Sequence, residues 1–494
     1  MTIPYRPTIT RRHALRAMAM SPTTLFALPL ALQSCTPSPT AAPDFRLLKS
    51  AMKGDVITKD SANFAAVRDA LLWNRRAAGT RSPQAVVRAT SAEDVAAAVN
   101  FARTHGLKVV AKGGGHNYHG AAVRDGGIVV DVSQLKTLEV NVSARTATAR
   151  PGVRGGDLIA AVAPSGLGFP VGHCSEVPLS GFLLNGGLGW NFGAWGASCT
   201  QVRAVEVIDA NGRILRADAT NNADLFWAAR GAGPGFFGVV TNYELDLQPM
   251  PAAIVTYVAV FDFKSLGALA QWLPDALLKV HPEVEVICNL DRDANGEPQL
   301  TLLANAFADT VDAARARIAV LAAHPAGATL KGPVVDVPVA FADLFAGVDA
   351  GFPSKRMSGD AMITSASVSD ILAAIEPLAN SLPPAPSAMT LVTLGGAGGL
   401  PTSGGAFGLR GNRYFGSYAF WDDAAMDETY RGWVRQVMES AGPFSAGGYI
   451  GETDLAAVPD RAERCFLPEA WERLKALKLK LDPDDVFYSY LTRA

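Results

Sequence analysis

The chain has 494 residues, 49% of them hydrophobic, and a formal net charge of −2, which gives it length for two or more domains and a substantial core. So balanced a charge excludes the basic footprint of a nucleic-acid binder or of a protein drawn to an anionic membrane. Seven histidines and five cysteines, none at helical metal-ligand or CxxC spacing, leave no zinc or iron–sulfur pattern.

The chain opens on Thr10-Arg11-Arg12-His13-Ala14-Leu15-Arg16, a twin-arginine pattern, followed by a moderately apolar run from Met18 to Leu32. Leu32-Gln33-Ser34-Cys35 then reads as a lipobox with Cys35 as the lipid-bearing residue; an uncleaved anchor, or a signal cut near the same place, are the alternatives. Pro22 and Pro29 interrupt the run too often for a transmembrane helix. Residues 1–35 are therefore set apart as a leader and 36–60 as a tether. This predicts an exported protein, periplasmic or membrane-anchored, that folds before it crosses.

Val86-Val87-Arg88-Ala89 reads as a strand, and Ser91-Ala92-Glu93-Asp94 opens a helix with an N-cap and an acidic first turn, ending near His105-Gly106. The apolar run Leu107 to Ala111 predicts the next strand. Further strands are expected at Ile128–Asp131, Leu138–Val140, Thr146–Ala149 and Ala204–Ile208, with a helix over Asp157–Val162. These short alternating elements describe an α+β domain over residues 75–250, closed by Pro249 and Pro251. Over 251–440 the character changes. Strand-like runs at 254–262, 284–290, 299–306, 390–395 and 413–421 alternate with helical stretches at 265–280, 309–323 and 422–441, the pattern of an antiparallel sheet backed by helices. Residues 441–494 return to shorter elements.

Two glycine-rich turns carry the chemistry. Lys112-Gly113-Gly114-Gly115-His116-Asn117-Tyr118-His119-Gly120 follows a strand, so its backbone can turn sharply and present N–H groups to an anion, with an imidazole directly after. Gly172-His173-Cys174-Ser175-Glu176-Val177 leads into Asn185-Gly186-Gly187-Leu188-Gly189-Trp190, a second such turn beside a thiol. Taken singly, each turn is equally an ordinary tight loop and Cys174 a small buried hydrophobe. Together they point to a large flavin held at both ends of one ring.

Over about residues 60–494 these segments resemble the berberine-bridge-enzyme-like branch of the FAD-linked oxidases, with the vanillyl-alcohol-oxidase (PCMH-type) fold. Gly113 to Tyr118 matches the segment whose histidine binds the flavin 8α-methyl carbon. Gly172 to Val177 matches the segment whose cysteine adds to flavin C6. Asp224-Leu225-Phe226-Trp227-Ala228-Ala229-Arg230-Gly231 and Phe237-Gly238-Val239-Val240-Thr241 match two further family segments. The resemblance implies a two-subdomain FAD-binding domain plus the antiparallel substrate domain, and FAD held bicovalently through His116 and Cys174. It implies a cofactor-binding set of Lys112, Gly113, Gly114, Gly115, His116, Asn117, Cys174, Val177, Gly181, Gly186, Gly187, Gly189, Gly238, Val239 and Val240. Gly186, Gly187 and Gly189 are expected to let the chain pass close to the ring, and Val239 and Val240 to wall the adenine. His119 and His173 read as supporting or packing residues. Val177 occupies the family's gate position, where valine resembles the oxidases, so oxygen is the expected acceptor and peroxide the by-product.

Hydride transfer from an alcohol carbon needs a base for the hydroxyl proton. Tyr118 matches a family tyrosine on the substrate face. Gly448-Tyr449-Ile450-Gly451-Glu452-Thr453-Asp454 resembles the family's Tyr-x-Asn-Tyr-x-Asp, but Glu452 stands at the second tyrosine. Asp482 to Tyr490 keeps the family's Asp-Pro-x-Asn/Asp-x-Phe, with Tyr490 where an asparagine commonly approaches the flavin. Tyr118, Tyr449, Glu452, Tyr490 and Val177 are thus the expected catalytic residues, with Glu452 read either as base or as a structural carboxylate. Arg410 reads as a solvated strand-end charge or a substrate contact, and Trp190, Phe192 and Trp195 as core or a sugar platform. The expected substrate is a small molecule, a sugar or secondary metabolite oxidised at an alcohol carbon. A same-fold dehydrogenase passing electrons to a quinone, and an anchored binding lipoprotein without flavin chemistry, are the competing readings. Nothing in the pattern assigns an oligomeric state.

Overall fold

β-branched runs of two or three residues build the first sheet: Ala85–Arg88, Ile128–Asp131 and Val109–Lys112 pair in parallel, and Asp55–Thr58 adds an antiparallel edge. The computed structural model describes residues 43–394 and 404–491; the twin-arginine segment, Cys35 and residues 36–42 of the tether lie outside them. Helix Ala92–Thr104 covers the sheet with Val95, Ala98, Val99 and Ala102, all fully buried. Ser91 caps it, its Oγ accepting from Asp94 N at 3.3 Å. The Asp94 carboxylate in turn accepts from the backbone of Lys53, Gly54 and Thr90, tying the N-terminal strand to the helix.

A second, all-antiparallel sheet runs Leu138–Asn141, Thr146–Ala149, Val239–Asp246, Val202–Ile208, Ile214–Asp218. It shares one apolar core with the first sheet and with helix Gly155–Val162. The chain end joins this part. Val109 N donates to Val486 O at 2.7 Å and Tyr488 N to Val109 O at 3.0 Å, extending the first sheet by one short pairing.

The third sheet is antiparallel throughout, seven strands in the order Val335–Val339, Ala253–Asp262, Pro298–Ala308, Val284–Arg292, Ala388–Thr393, Arg413–Trp421, Arg356–Thr364. Period-two alternation divides its faces. Val255, Tyr257, Ala259 and Phe261 pack under helices Leu266–Lys279, Val311–Ala322, Val368–Ile375 and Asp427–Ala441. The opposite face, with Thr256, Asn289, Thr390, Tyr414 and Tyr418, looks toward the first two sheets across a cavity. The sequence pattern placed no strand at Val335–Val339 or Arg356–Thr364; these form the two outer edges of this sheet. No helix among the described residues is long and apolar enough to cross a membrane.

Candidate active site

The cavity between the sheets measures about 1050 Å³. At one end is the turn that leaves strand Val109–Lys112. Gly115 adopts φ +71°, which L side chains rarely tolerate. A Cβ on it would overlap the Leu71 carbonyl, and one on Gly113 or Gly114 would overlap Ser180 or Pro178. Gly113 and Gly114 therefore seat this turn directly against the segment Pro178–Gly181, Gly115 seats it against Leu71, and the turn and the 178–181 segment both line the cavity. Among the described residues, the N–H groups of Gly114, Gly115, His116 and Asn117 enter no backbone hydrogen bond. Such a run of unpaired donors suits a diphosphate. Gly181 faces open space, and Gly238, Val239 and Val240 form the adjoining apolar wall.

His116 and Cys174 line the same cavity. Burial, reinforced by the Lys112 and Arg154 charges, pushes the His116 imidazole down to about 4, so it is neutral at physiological pH. Its ring stacks on Trp73 at 5.8 Å. The Cys174 thiol is pushed up to about 12 by burial and by the carboxylates of Asp349 and Glu452. Asp349 also holds the next residue, accepting from Ser175 N at 3.0 Å and from its Oγ at 2.6 Å. Val177 lines the cavity beyond it.

Tyr118, Tyr414, Tyr418, Tyr449 and Glu452 line the same cavity. Glu452 projects from a turn in which its own N–H and that of Thr453 both donate to Tyr449 O. Two bonds lace this turn to the histidine turn: Asn117 Nδ2 donates to Gly451 O at 3.1 Å, and His119 Nε2 pairs with Glu452 O at 3.1 Å. Glu452 Oε2 accepts from the hydroxyls of Tyr414 and, at 3.0 Å, Tyr418. Burial raises the Glu452 carboxyl above the usual range even though both tyrosines oppose the shift. Burial and the Glu452 charge likewise hold Tyr118, Tyr414 and Tyr418 neutral.

Several expected site residues lie elsewhere. Lys112 alternates away from the cavity, and its Nζ lies 3.4 Å from Asp131 Oδ1 inside the sheet. Gly186, Gly187 and Gly189 do not line the cavity; a Cβ on each would strike Phe407, Ser198 and Pro170 O respectively, so they serve chain packing. Tyr490 packs in a three-ring cluster with Phe466 and Trp471, and its hydroxyl donates to Ala232 O at 2.5 Å, outside the cavity lining. Arg410 is exposed to solvent, as one of its two readings had it, and lies off the cavity, with its guanidinium donating to Phe466 O at 2.6 and 2.9 Å. Phe192 is core and Trp195 stacks on Phe341, whereas Trp190 borders the cavity against His173, ring centroids 4.2 Å apart. Tyr414 and Tyr418 were not anticipated. Their signal was present as Tyr414-Phe415-Gly416-Ser417-Tyr418, two polar rings on one strand face around a glycine.

The donor run, the imidazole and thiol that line the same cavity, and the apolar wall fit FAD. Residues 83–218 match the family described as FAD binding domain. The FAD-linked oxidoreductase nodO of Hypoxylon pulicicidum is 28% identical over 405 residues, covering 81% of this chain and 89% of that one. The (R)-6-hydroxynicotine oxidase of Paenarthrobacter nicotinovorans is 31% identical over 255 residues, 51% of this chain and 54% of that one. The BBE-like 1 structure of Physcomitrella patens superposes with a TM-score of 0.79 at 20% identity, covering 91% of this chain and 100% of that one. With a cavity between the first two sheets and a seven-stranded antiparallel sheet, the chain has the fold of the berberine-bridge-enzyme-like structures, carries an FAD binding domain and is similar in sequence to FAD-linked oxidoreductases.

Proposed function

We propose that the protein oxidises an alcohol carbon of a sugar or secondary metabolite, with Glu452 as the base, and is reoxidised by oxygen. The observation that carries this reading is a carboxylate inside the cavity that His116 and Cys174 also line. FAD, when bound, supplies the two-electron acceptor. Gly114 to Asn117 would hold its diphosphate, and His116 and Cys174 would carry the covalent links. Glu452 Oε2 is occupied by two tyrosines, whereas Oε1 has no hydrogen bond within the described chain and is the atom to take the hydroxyl proton. Tyr118, its ring edge-on to Tyr418 at 5.9 Å, fixes the aromatic wall against which substrate rests. Overall the substrate loses a hydride and a proton, and oxygen gains both as hydrogen peroxide. Val177 beside Cys174 supports oxygen as the acceptor. Export through the twin-arginine pathway, with lipid on Cys35, completes the proposal and rests on residues 10–35 alone.

Purified holoprotein tests it. Yellow colour that stays with the denatured chain, with flavin mass on the His116 and Cys174 peptides, supports the bicovalent site; unmodified peptides sink it. A peroxide-detecting screen across sugars, alcohols and phenols then identifies substrate. Reduction by substrate without reoxidation in air would reassign the protein as a dehydrogenase.

A further inference from the structure

We infer that Tyr414 and Tyr418 are positioning residues that keep Glu452 ionised and turn its free oxygen toward substrate. This rests on Glu452 as the base. Both hydroxyls converge on Oε2 and also touch one another, so three oxygens form a closed triangle. With the carboxylate ionised, two phenolic hydrogens serve three short contacts. Only Oε1 then remains to meet substrate.

The sheet is built for this arrangement. Residues 414, 416 and 418 share one strand face, and a Cβ on Gly416 would sit 2.8 Å from the Tyr414 hydroxyl and 2.7 Å from that of Tyr418. Glycine is what lets the two hydroxyls meet. Across the ladder, Gly359 opposes Tyr418 and Ala361 opposes Gly416. A Cβ on Gly359 would press on Tyr418 at 3.0 Å and Tyr118 at 3.3 Å. Phe352 closes the outer side, edge-on to Tyr418 at 5.2 Å. The other titratable groups acting on Glu452 and its tyrosines are His119, His173, Tyr118, Tyr449 and Cys174. Of these, His119 is paired with Asp454 and His173 with Glu285.

Holoenzyme carrying Tyr414→Phe or Tyr418→Phe tests the inference. Activity needs ionised Glu452, so the acid limb of kcat/KM falls as pH drops through its pKa. A hydrogen bond to a charged group contributes on the order of 1.5–3 kcal/mol, so losing one donor should move that limb up by about one to two pH units. Flavin content should not change. Infrared titration of the buried carboxyl band, assigned by its loss in Glu452→Gln, should move in parallel without any substrate. Substituting 3-fluorotyrosine, which keeps the ring and makes a stronger donor, should move both the other way. A limb and a band that stay put in every variant overturn the inference. Wild-type turnover by Glu452→Gln would instead remove Glu452 as base, while the infrared band still reports on the tyrosines.

Discussion

His173 Nε2 lies 2.8 Å from Glu285 Oε1, and this pair joins the Cys174 loop to the seven-stranded sheet. Burial disfavours the imidazolium, but the Glu285 charge and hydrogen bond outweigh it and the His173 pKa is raised. A raised histidine contributes stability that is fully present below its unfolded pKa, about 6.5, and is lost as pH rises through the folded value. Glu285→Gln should therefore lower the melting temperature most in mildly acidic buffer and least in alkaline buffer. A melting-temperature difference independent of pH would show that the pair is not ionic.

Cys174 should resist alkylation in apoprotein. Its thiol is pushed up to about 12 by burial, then by Asp349 and Glu452, and only the thiolate reacts. Asp349→Asn removes the nearer named charge while an amide at 349 can still bond Ser175, so iodoacetamide labelling of Cys174 should quicken several-fold. Labelling equally slow in this variant would assign the protection to burial alone.

Most of the ladder was legible because local patterns decided it. The capped helix at Ser91, the β-branched strand at Ile128 and the alternating run 413–421 all form where the pattern puts them. The two sheet edges were not. Val335-Asp336-Val337-Pro338-Val339 is mostly exposed and carries a proline, and Arg356 to Thr364 interrupts its apolar residues with Ser358, Gly359 and Asp360. Such edges are fixed by pairing with distant strands rather than by their own alternation. The site divides in the same way. The His116 turn and the Cys174 loop are contiguous motifs, whereas Glu452 meets Tyr414 and Tyr418 only through tertiary packing. Glycines misled for a related reason: a Gly-rich turn announces close approach without saying to what, and Gly186 turned out to face Phe407.

The docked chain end depends on a buried pair. Lys478 and Asp482 are ion-paired with side chains 1% and 0% exposed. Asp482 also accepts from Val486 N at 2.7 Å and Phe487 N at 3.0 Å, while Lys478 Nζ donates to Phe487 O at 3.1 Å. Asp482→Ala leaves the buried ammonium with Asp485, 2.8 Å away, as its remaining carboxylate, and frees the segment that pairs with Val109. Removing one partner of a buried pair costs about 3–5 kcal/mol, which urea unfolding should register together with faster proteolysis after Leu481. A loss below about 1 kcal/mol, the range of an exposed pair, would mean that the tail docks by its apolar residues alone.

Glu452, the proposed base, carries a stability cost that its removal should reveal. Burial raises the Glu452 carboxyl above its unfolded value, so the folded state binds the extra proton more firmly than the unfolded chain. Stability from this group is then present below the unfolded pKa, about 4.3, and declines as pH rises through the folded one. Glu452→Gln has no charge to bury, and its amide oxygen still accepts from Tyr414 or Tyr418. The variant should match wild type in thermal stability at acid pH and exceed it increasingly toward neutrality, while turnover falls by the ~10²–10⁴ that a general base supplies. Thermal unfolding across pH with parallel peroxide assays checks both. If Glu452→Gln proved less stable than wild type at neutral pH, the carboxylate would be a structural keystone of the tyrosine pair rather than a charge held there for chemistry.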